Sequence, residues 1–345
     1  MERVDHVVIG AGIMGSATAR SLARAGRSVV LLERFRFGHK RGSSHGRTRI
    51  FRLSYPDPTY VEMAKRSRDL WRELENEMDQ SLLDMRGGLD LGPNIEHNAA
   101  ALERNGAPLE RMNGKAATER FPGVEIPDDE RVLFQPESAV ISAEGALAAF
   151  IASAMNNGAQ ALEEREVIRI RPESDGVRVD TAGGDFTART IVVTVGPWVQ
   201  KVLAPLGIEI PVRPTRETVS YFDVDTEGLP TIVEWGDPTL YALPSPGQGL
   251  KAAEHIAGAV ADPDDSGGVD RDSIARVQEW VKRRFPAADP EPRHSETCFY
   301  TNTSDEHFVL ERRDKIVIGS PCSGHGFKFA PLIGERLAAM AMEER

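Results

Sequence analysis

The sequence is short of cysteine, of positive charge and of long apolar runs, and each shortage narrows what the protein can be. Two cysteines occur among 345 residues, which are too few for a disulfide framework and suit a reducing compartment. The net charge of -11 argues against a nucleic-acid-binding surface or a basic membrane patch. No run of about 20 apolar residues is present, so no membrane-spanning helix is predicted. We therefore expect a cytoplasmic protein without nucleic-acid or membrane partners.

Metal-ligand spacing is missing as well. The eight histidines are scattered, and neither Cys298 nor Cys322 is separated by two residues from a second cysteine. No metal site is expected from this pattern. What is present is a chain with 40% apolar residues, long enough for about two domains.

The N-terminal segment has the pattern of a dinucleotide-binding unit. In order, it contains a strand over 5–9, Gly10, Gly12, Gly15, a helix over 16–24 and a strand over 28–32 that ends at Glu33. Gly10 makes the tight turn, Gly12 lets the backbone approach a pyrophosphate, and Gly15 allows the helix to pack closely on the strand. Glu33 is placed to accept hydrogen bonds from an adenosine ribose. The unit predicts dinucleotide binding but does not distinguish FAD from NAD.

A second glycine-rich turn lies near the C-terminus, over 320–330. A strand pattern over 315–319 precedes it, and a helical pattern over 332–342 follows it. Gly324 and Gly326 allow a flat ligand to approach the backbone closely. The free N–H groups of the helix start and the charge of Lys328 favour an anion, or a ring that becomes anionic.

Four segments in this order resemble the monomeric sarcosine oxidases and N-methyl-amino-acid oxidases, which are FAD-dependent amine oxidases with the D-amino-acid-oxidase fold. They are the N-terminal glycine motif and the segments 44–52, 297–308 and 323–328. The resemblance covers nearly the whole chain. It implies FAD as the cofactor, a small amino-acid substrate, dioxygen as the acceptor and a monomer.

The resemblance also implies a role for each matching residue near the flavin. Cys298 matches the cysteine that forms a thioether to the flavin 8α-methyl group, whereas Cys322 is interpreted as a packed thiol. Lys251 matches the lysine near flavin N5 on which oxygen activation depends. His255 matches an active-site histidine, and Arg49 matches an arginine near the flavin ring.

The remaining site residues are expected around these. Tyr241 matches a tyrosine over the site and, with Lys251, His255 and Arg49, completes the expected catalytic set. Arg52 and Lys328 match the pair that binds the substrate carboxylate, and Tyr55 is expected to contact substrate beside them. Further cofactor contacts are expected from Ser44, Gly324, His325, Gly326 and Phe327.

The expected fold is mixed α/β: a Rossmann-like FAD-binding domain with an inserted antiparallel or mixed β-sheet substrate domain. Alternating apolar residues, as over 218–222, predict strands of that second sheet. The FAD-binding domain is assigned to 1–83, 142–212 and 296–345, and the substrate domain to 84–141 and 213–295.

The function that follows is an FAD-dependent oxidase of secondary, N-methylated amino acids. The enzyme would oxidise the N–CH bond to an imine and reduce O2 to H2O2. One alternative is an oxidase or dehydrogenase of a cyclic amino acid such as pipecolate or proline, or of a glycated amino acid. Another is a flavin-binding protein without turnover.

Overall fold

The computed structural model describes residues 2–343. The helices are α1 Ile13–Arg24, α2 Pro58–Met78, α3 Ile95–Arg104, α4 Gly114–Arg120, α5 Ala143–Asn156, α6 Val199–Leu203, α7 Arg271–Arg284 and α8 Ala330–Met342. The strands are β1 Glu2–Ile9, β2 Val29–Leu32, β3 Thr48–Phe51, β4 Leu83–Met85, β5 Gly88–Leu91, β6 Glu110–Asn113, β7 Arg131–Gln135, β8 Ala139–Ser142, β9 Gln160–Leu162, β10 Val167–Glu173, β11 Gly176–Thr181, β12 Phe186–Val193, β13 Arg213–Phe222, β14 Thr231–Glu234, β15 Thr239–Ser245, β16 Gly249–His255, β17 Ala259–Val260, β18 Pro292–Asn302, β19 Val309–Arg313 and β20 Ile316–Ser320.

The first sheet has a parallel centre in the order β9-β2-β1-β12-β20. Its strands are apolar on both faces because both faces are covered. Val8 packs toward the helices α1, α5 and α8, whereas Val7 packs into a core on the other face. The carboxyl ends of β1 and β20 therefore meet at one edge, and each leads into one of the two glycine-rich turns.

The second sheet has nine strands and is antiparallel except where β5 pairs with β14. Helix α7 packs on it through Val277 and Trp280, both fully buried. A third, small sheet has the order β3-β8-β4. Its strand β3 contacts β15 of the second sheet and the 3₁₀ turn over Phe327–Phe329, which follows β20 of the first sheet. The strand β3 thus carries the segment 48–51 to the boundary between the two large sheets.

The mixed α/β fold class predicted from the sequence is confirmed. The division into two domains stays a prediction. One predicted boundary, at residue 296, falls within β18, which pairs with β13 of the second sheet from Pro292 to Asn302.

Candidate active site

One cavity of about 820 Å³ extends from the glycine loop after β1 to the buried Lys251 of the second sheet. Gly10, Gly12 and Glu33 line one end of it, and Arg49 and Lys251 line the other. The cavity therefore joins the two parts of the chain that the sequence assigns to the same ligand.

The glycine loop is shaped by close backbone packing. Gly10 has φ +95°, and a Cβ on Gly15 would lie 1.9 Å from the Gly10 carbonyl oxygen. A Cβ on Gly12 would lie 3.1 Å from Ser44 Oγ, which accepts a hydrogen bond from the Ile13 N–H at 3.0 Å. Gly12 has no side chain with which to cap α1, so the helix start, apart from the Ile13 N–H, is open to an anionic ligand.

Glu33 lies at the end of β2, as predicted, and it is 6% exposed. Its carboxylate accepts from the Ala11 N–H at 2.9 Å and from the Phe35 N–H at 3.0 Å. Burial acts to raise its pKa, but hydrogen bonds from His39 and from backbone N–H groups lower it overall. Glu33 is thus a charged acceptor at the cavity wall, beside the glycine loop.

The second glycine turn forms the opposite wall. Ser323 and Gly324 have φ +40° and +71°, and a Cβ on Gly324 would lie 2.3 Å from the Tyr300 ring and 2.6 Å from His255 Cε1. A 3₁₀ turn over Phe327–Phe329 leads from it into α8. The turn presents Gly324, Gly326 and Phe327 to the cavity.

Arg49 is held by main-chain oxygens. Its guanidinium donates to the carbonyls of Thr48, Ser43 and His45 at 2.9, 2.9 and 2.6 Å. It also lies 5.4 Å from the centroid of the Phe327 ring. Arg49 is therefore fixed between the loop before β3 and the second glycine turn.

Arg52 and Lys328 converge, although 276 residues separate them in the chain (328 − 52). Lys328 Nζ donates to the Tyr55 hydroxyl at 3.0 Å and to the His325 carbonyl at 2.9 Å. The Arg52 guanidinium lies 4.1 Å from the centroid of the same Tyr55 ring. Burial lowers the pKa of Lys328 well below its ordinary value, and the neighbouring Arg52 lowers it further.

Neither cation has a carboxylate within 4.0 Å among the residues the structure describes. Both line the cavity, whereas Tyr55 is not among its lining residues and lies behind them. Two cations that are held together without a carboxylate partner are stabilised by an anion from outside the chain.

Lys251 comes from β16, next to the strand that carries Tyr221. It is 4% exposed, and its Nζ donates to the Thr48 carbonyl at 3.1 Å. Burial lowers the pKa of Lys251 to about 7, and the charge of Arg49 acts in the same direction. Lys251 is thus a buried amine that changes charge near neutral pH.

Cys298 lies on β18 and lines the same cavity. Burial raises the pKa of its thiol to about 11, while Arg49 and Lys251 oppose the shift. Cys322 also lines the cavity, and its Sγ accepts from the Thr301 N–H at 3.3 Å. The structure therefore brings both cysteines to the cavity.

His255 and Tyr241 lie near the second glycine turn. His255 Nε2 is 3.9 Å from Glu306 Oε2, and its ring centroid is 5.7 Å from that of Tyr300. Burial raises the pKa of Tyr241, which shares a side-chain hydrogen bond with Tyr300. His325 is 8% exposed, and its Nε2 lies 3.0 Å from the Glu306 carbonyl oxygen.

Sequence reasoning missed several lining residues. Tyr300 is two residues after Cys298 on the same strand, so the alternation of side chains along a strand could have assigned it. Thr48 lies within the segment 44–52, which the sequence had singled out. Trp235 carried no such signal, because its neighbours in the cavity come from distant parts of the chain. Trp235 Nε1 donates to Asp90 Oδ1 at 2.9 Å.

The residues present fit an FAD molecule. The glycine loop, the open start of α1 and Glu33 suit the pyrophosphate and ribose of an adenosine dinucleotide. The buried hydroxyls of Thr48 and Ser320, which both line the cavity, have no hydrogen-bond partner within the described part of the chain. Polar groups buried in this way point to a ligand that completes their hydrogen bonding.

Residues 2–343 contain no cluster of three or more metal-ligating side chains. Among the helices described, none is long and apolar enough to cross a bilayer.

Comparisons with known proteins agree with this geometry. A family model described as FAD dependent oxidoreductase matches residues 5–340. Monomeric sarcosine oxidase from Bacillus sp. (strain NS-129) is 35% identical, over 98% of this chain and 92% of that protein. N-methyl-L-tryptophan oxidase from Escherichia coli is 29% identical, over 99% and 96%. The solved structure of NikD, an unusual amino acid oxidase essential for nikkomycin biosynthesis, is 27% identical and superposes with a TM-score of 0.89, over 100% of this chain and 95% of that one.

Proposed function

The chain belongs to the family of FAD-dependent oxidoreductases that includes the monomeric sarcosine oxidases, and on that premise we propose that it is an oxidase of secondary, N-methylated amino acids. The observation that carries the proposal is the convergence of Arg52, Lys328 and Lys251 on the cavity that begins at the glycine loop. FAD, when bound, supplies the two-electron oxidation of the N–CH bond to an imine and the return of those electrons to O2 as H2O2.

Arg52 and Lys328 bind the substrate carboxylate. The planar guanidinium offers paired N–H donors that match a carboxylate, and the lysine adds a point charge. Lys328 already donates to two fixed oxygens, so its ammonium is oriented before the substrate enters. Tyr55, whose hydroxyl accepts from Lys328, positions this lysine.

Lys251 acts on the oxygen side of the reaction. Its ammonium is buried and anchored to the Thr48 carbonyl. A fixed positive charge in such a site stabilises the negative charge that develops when O2 is reduced. No side chain is assigned as a general base, because an amine that binds in its neutral form can lose the hydride directly.

Cys298 is the residue that we propose for covalent attachment of the flavin. It lies at the cavity wall beside Lys251 and Arg49, which stabilise its thiolate. Cys322 provides the matched control, because it lines the same cavity. Flavin should stay with the chain after acid precipitation in Cys322→Ser and be released in Cys298→Ser.

The chain acts as a monomer in the cytoplasm under this proposal. The similarity to a protein named monomeric sarcosine oxidase and the two unpaired cysteines support it. A mass near 37.9 kDa in light scattering is the expected result, and a mass twice as large would contradict it.

The decisive experiment is anaerobic mixing of the purified flavoprotein with sarcosine, larger N-methyl amino acids, pipecolate, proline and a glycated amino acid. We expect the flavin absorbance to bleach with N-methyl amino acids, and one H2O2 to form per turnover in air. Faster bleaching by pipecolate or proline would favour the cyclic alternative, and bleaching without peroxide would indicate a dehydrogenase. No bleaching by any of them would leave a flavin-binding protein without turnover.

A further inference from the structure

Trp235 lines the cavity and is held in place by residues that do not line it. Its N–H donates to the Leu91 carbonyl at 2.9 Å. Gly92 packs against it so closely that a Cβ there would lie 2.1 Å from the Trp235 carbonyl oxygen. The backbone of Trp235 is therefore locked to the end of β5.

The indole of Trp235 is fixed as well. Its Nε1 donates to Oδ1 of Asp90 at 2.9 Å, and Asp90 is 3% exposed. Burial raises the pKa of Asp90, while the nearby Arg52 acts to lower it. A buried carboxylate is costly unless it is hydrogen-bonded, so its presence at this place favours a specific role.

That role is visible at the ring face of the indole, over which Arg52 lies. The Arg52 guanidinium lies 4.7 Å from the Trp235 ring centroid and 4.1 Å from the Tyr55 ring centroid. The Arg52 guanidinium also donates a hydrogen bond to the Ser54 carbonyl. Two aromatic rings thus restrict the plane of the guanidinium, since cations are held over ring faces.

We propose that Asp90 and Trp235 form a positioning unit that orients Arg52 toward the substrate carboxylate and sets how far the substrate side chain extends beside it. The proposal rests on the proposed function, in which Arg52 binds that carboxylate. Asp90 fixes the indole, the indole and Tyr55 fix the guanidinium plane, and the cavity face of the indole limits the space next to the bound acid. Asp90 and Trp235 are positioning residues, because they act through Arg52.

The test uses the flavin-loaded protein and a ligand that is not oxidised. Benzoate carries the carboxylate and benzamide is its neutral analogue, and binding of either is measured from the change in the flavin absorption spectrum. Trp235→Leu and Asp90→Leu should weaken benzoate binding about 10-fold, as loss of a cation–aromatic contact predicts, and benzamide binding less than about 2-fold.

Conservative variants separate positioning from folding. Asp90→Asn keeps an oxygen that accepts from the indole and should bind benzoate nearly as well as the parent protein. Trp235→Phe keeps a ring face without the N–H, and its affinity for benzoate should lie between those of the parent protein and Trp235→Leu. The matched control is Trp280→Phe, because the indole of Trp280 also donates to a carboxylate, Glu234 Oε2 at 2.7 Å, but lies outside the cavity lining. It should alter thermal stability without changing benzoate affinity.

With an amino acid that the enzyme oxidises, Trp235→Leu should raise KM about 10-fold, with kcat and the rate of flavin reoxidation by O2 much less affected. Unchanged benzoate affinity in both leucine variants, or an equal loss of benzoate and benzamide binding, would overturn the proposal. Failure of the proposed function would look different: the parent protein would bind benzoate while no secondary amino acid bleached its flavin.

Discussion

At the scale of single residues, the role proposed for Lys251 in the oxygen reaction makes that reaction depend on pH. The pKa of Lys251 is lowered to about 7, so the side chain is charged below pH 7 and neutral above it. We therefore expect the rate constant for reoxidation of the reduced flavoprotein by O2 to be high at acidic pH and to fall as pH rises through 7. Stopped-flow mixing of the reduced protein with O2 at a series of pH values measures it.

Two substitutions of Lys251 serve as controls for this prediction. Lys251→Met should slow reoxidation about 100- to 1000-fold and remove the pH dependence. Lys251→Arg carries a charge at every pH used. Its rate constant for reoxidation should therefore not vary with pH and should exceed that of Lys251→Met. A Lys251→Met variant that reoxidises at the parent rate would exclude Lys251 from the oxygen reaction.

Lys328 allows a second prediction at this scale. Replacing it by methionine removes a charge-assisted donor from the carboxylate site, so the affinity for benzoate should fall about 10- to 100-fold. Because a ligand raises stability to the extent that its concentration exceeds its Kd, one fixed benzoate concentration should raise the Tm of the parent protein more than that of Lys328→Met. Lys315→Met is the control, since Lys315 also donates to two carbonyl oxygens but on the exposed surface. An equal rise in Tm in all three proteins would contradict the assignment of Lys328.

At the scale of elements, the start of α1 depends on a backbone packing that only glycine permits. A Cβ on Gly15 would meet the Gly10 carbonyl oxygen at 1.9 Å and Thr194 Oγ1 at 2.6 Å. Gly15→Ala should therefore displace the loop and weaken FAD binding about 10- to 100-fold, measured by ultrafiltration of a Cys298→Ser background. Gly268→Ala, where a Cβ would meet nothing within 4 Å, should leave FAD affinity unchanged. Tight FAD binding by Gly15→Ala would contradict the role of this loop.

The elements also show why some of the fold was predictable. The βαβ unit around Gly10 could be read because its strands, turn and helix lie within one short segment. Helix α3, Ile95–Arg104, was not predicted, because Pro and Gly around it favoured turns. The parallel pairing of β5 with β14 was not predictable from local pattern, since the partners Leu89 and Ile232 come from distant segments.

The residues of the candidate site were also predictable only in part. Residues inside distinctive motifs, such as Lys328 and Cys298, could be located from the sequence. Trp235 could not, because the carboxylate that fixes it, Asp90, is 145 residues away. Whether a residue lines the cavity depends on how the sheets pack together. The local sequence indicates this only for residues that belong to a motif.

At the scale of the whole molecule, a charged cluster joins the loop after β17 to the nucleotide-binding part of the chain. Asp264 accepts from Arg34 at 3.0 Å, from Trp198 Nε1 at 2.8 Å and from Lys201 at 2.7 Å. Each of these four residues lines the cavity on the side of Glu33. The hydrogen bonds lower the pKa of Asp264 to about 2, with Lys201 as the largest cause. The loop is therefore held by charge at the Glu33 side of the cofactor cavity.

This cluster predicts how strongly the protein retains FAD. In a Cys298→Ser background, where release does not require breaking a covalent bond, Asp264→Ala should speed FAD dissociation about 10-fold, since a networked acceptor of charged donors is lost. Dissociation from the Cys298→Ser parent should accelerate with added salt, which screens exposed pairs, and this acceleration should shrink in Asp264→Ala. Asp175→Ala, which removes the exposed pair with Arg3 at 3.1 Å, is the control and should change neither quantity. Equal dissociation rates in all three proteins, measured by the recovery of free-flavin fluorescence, would mean that the loop does not retain the cofactor.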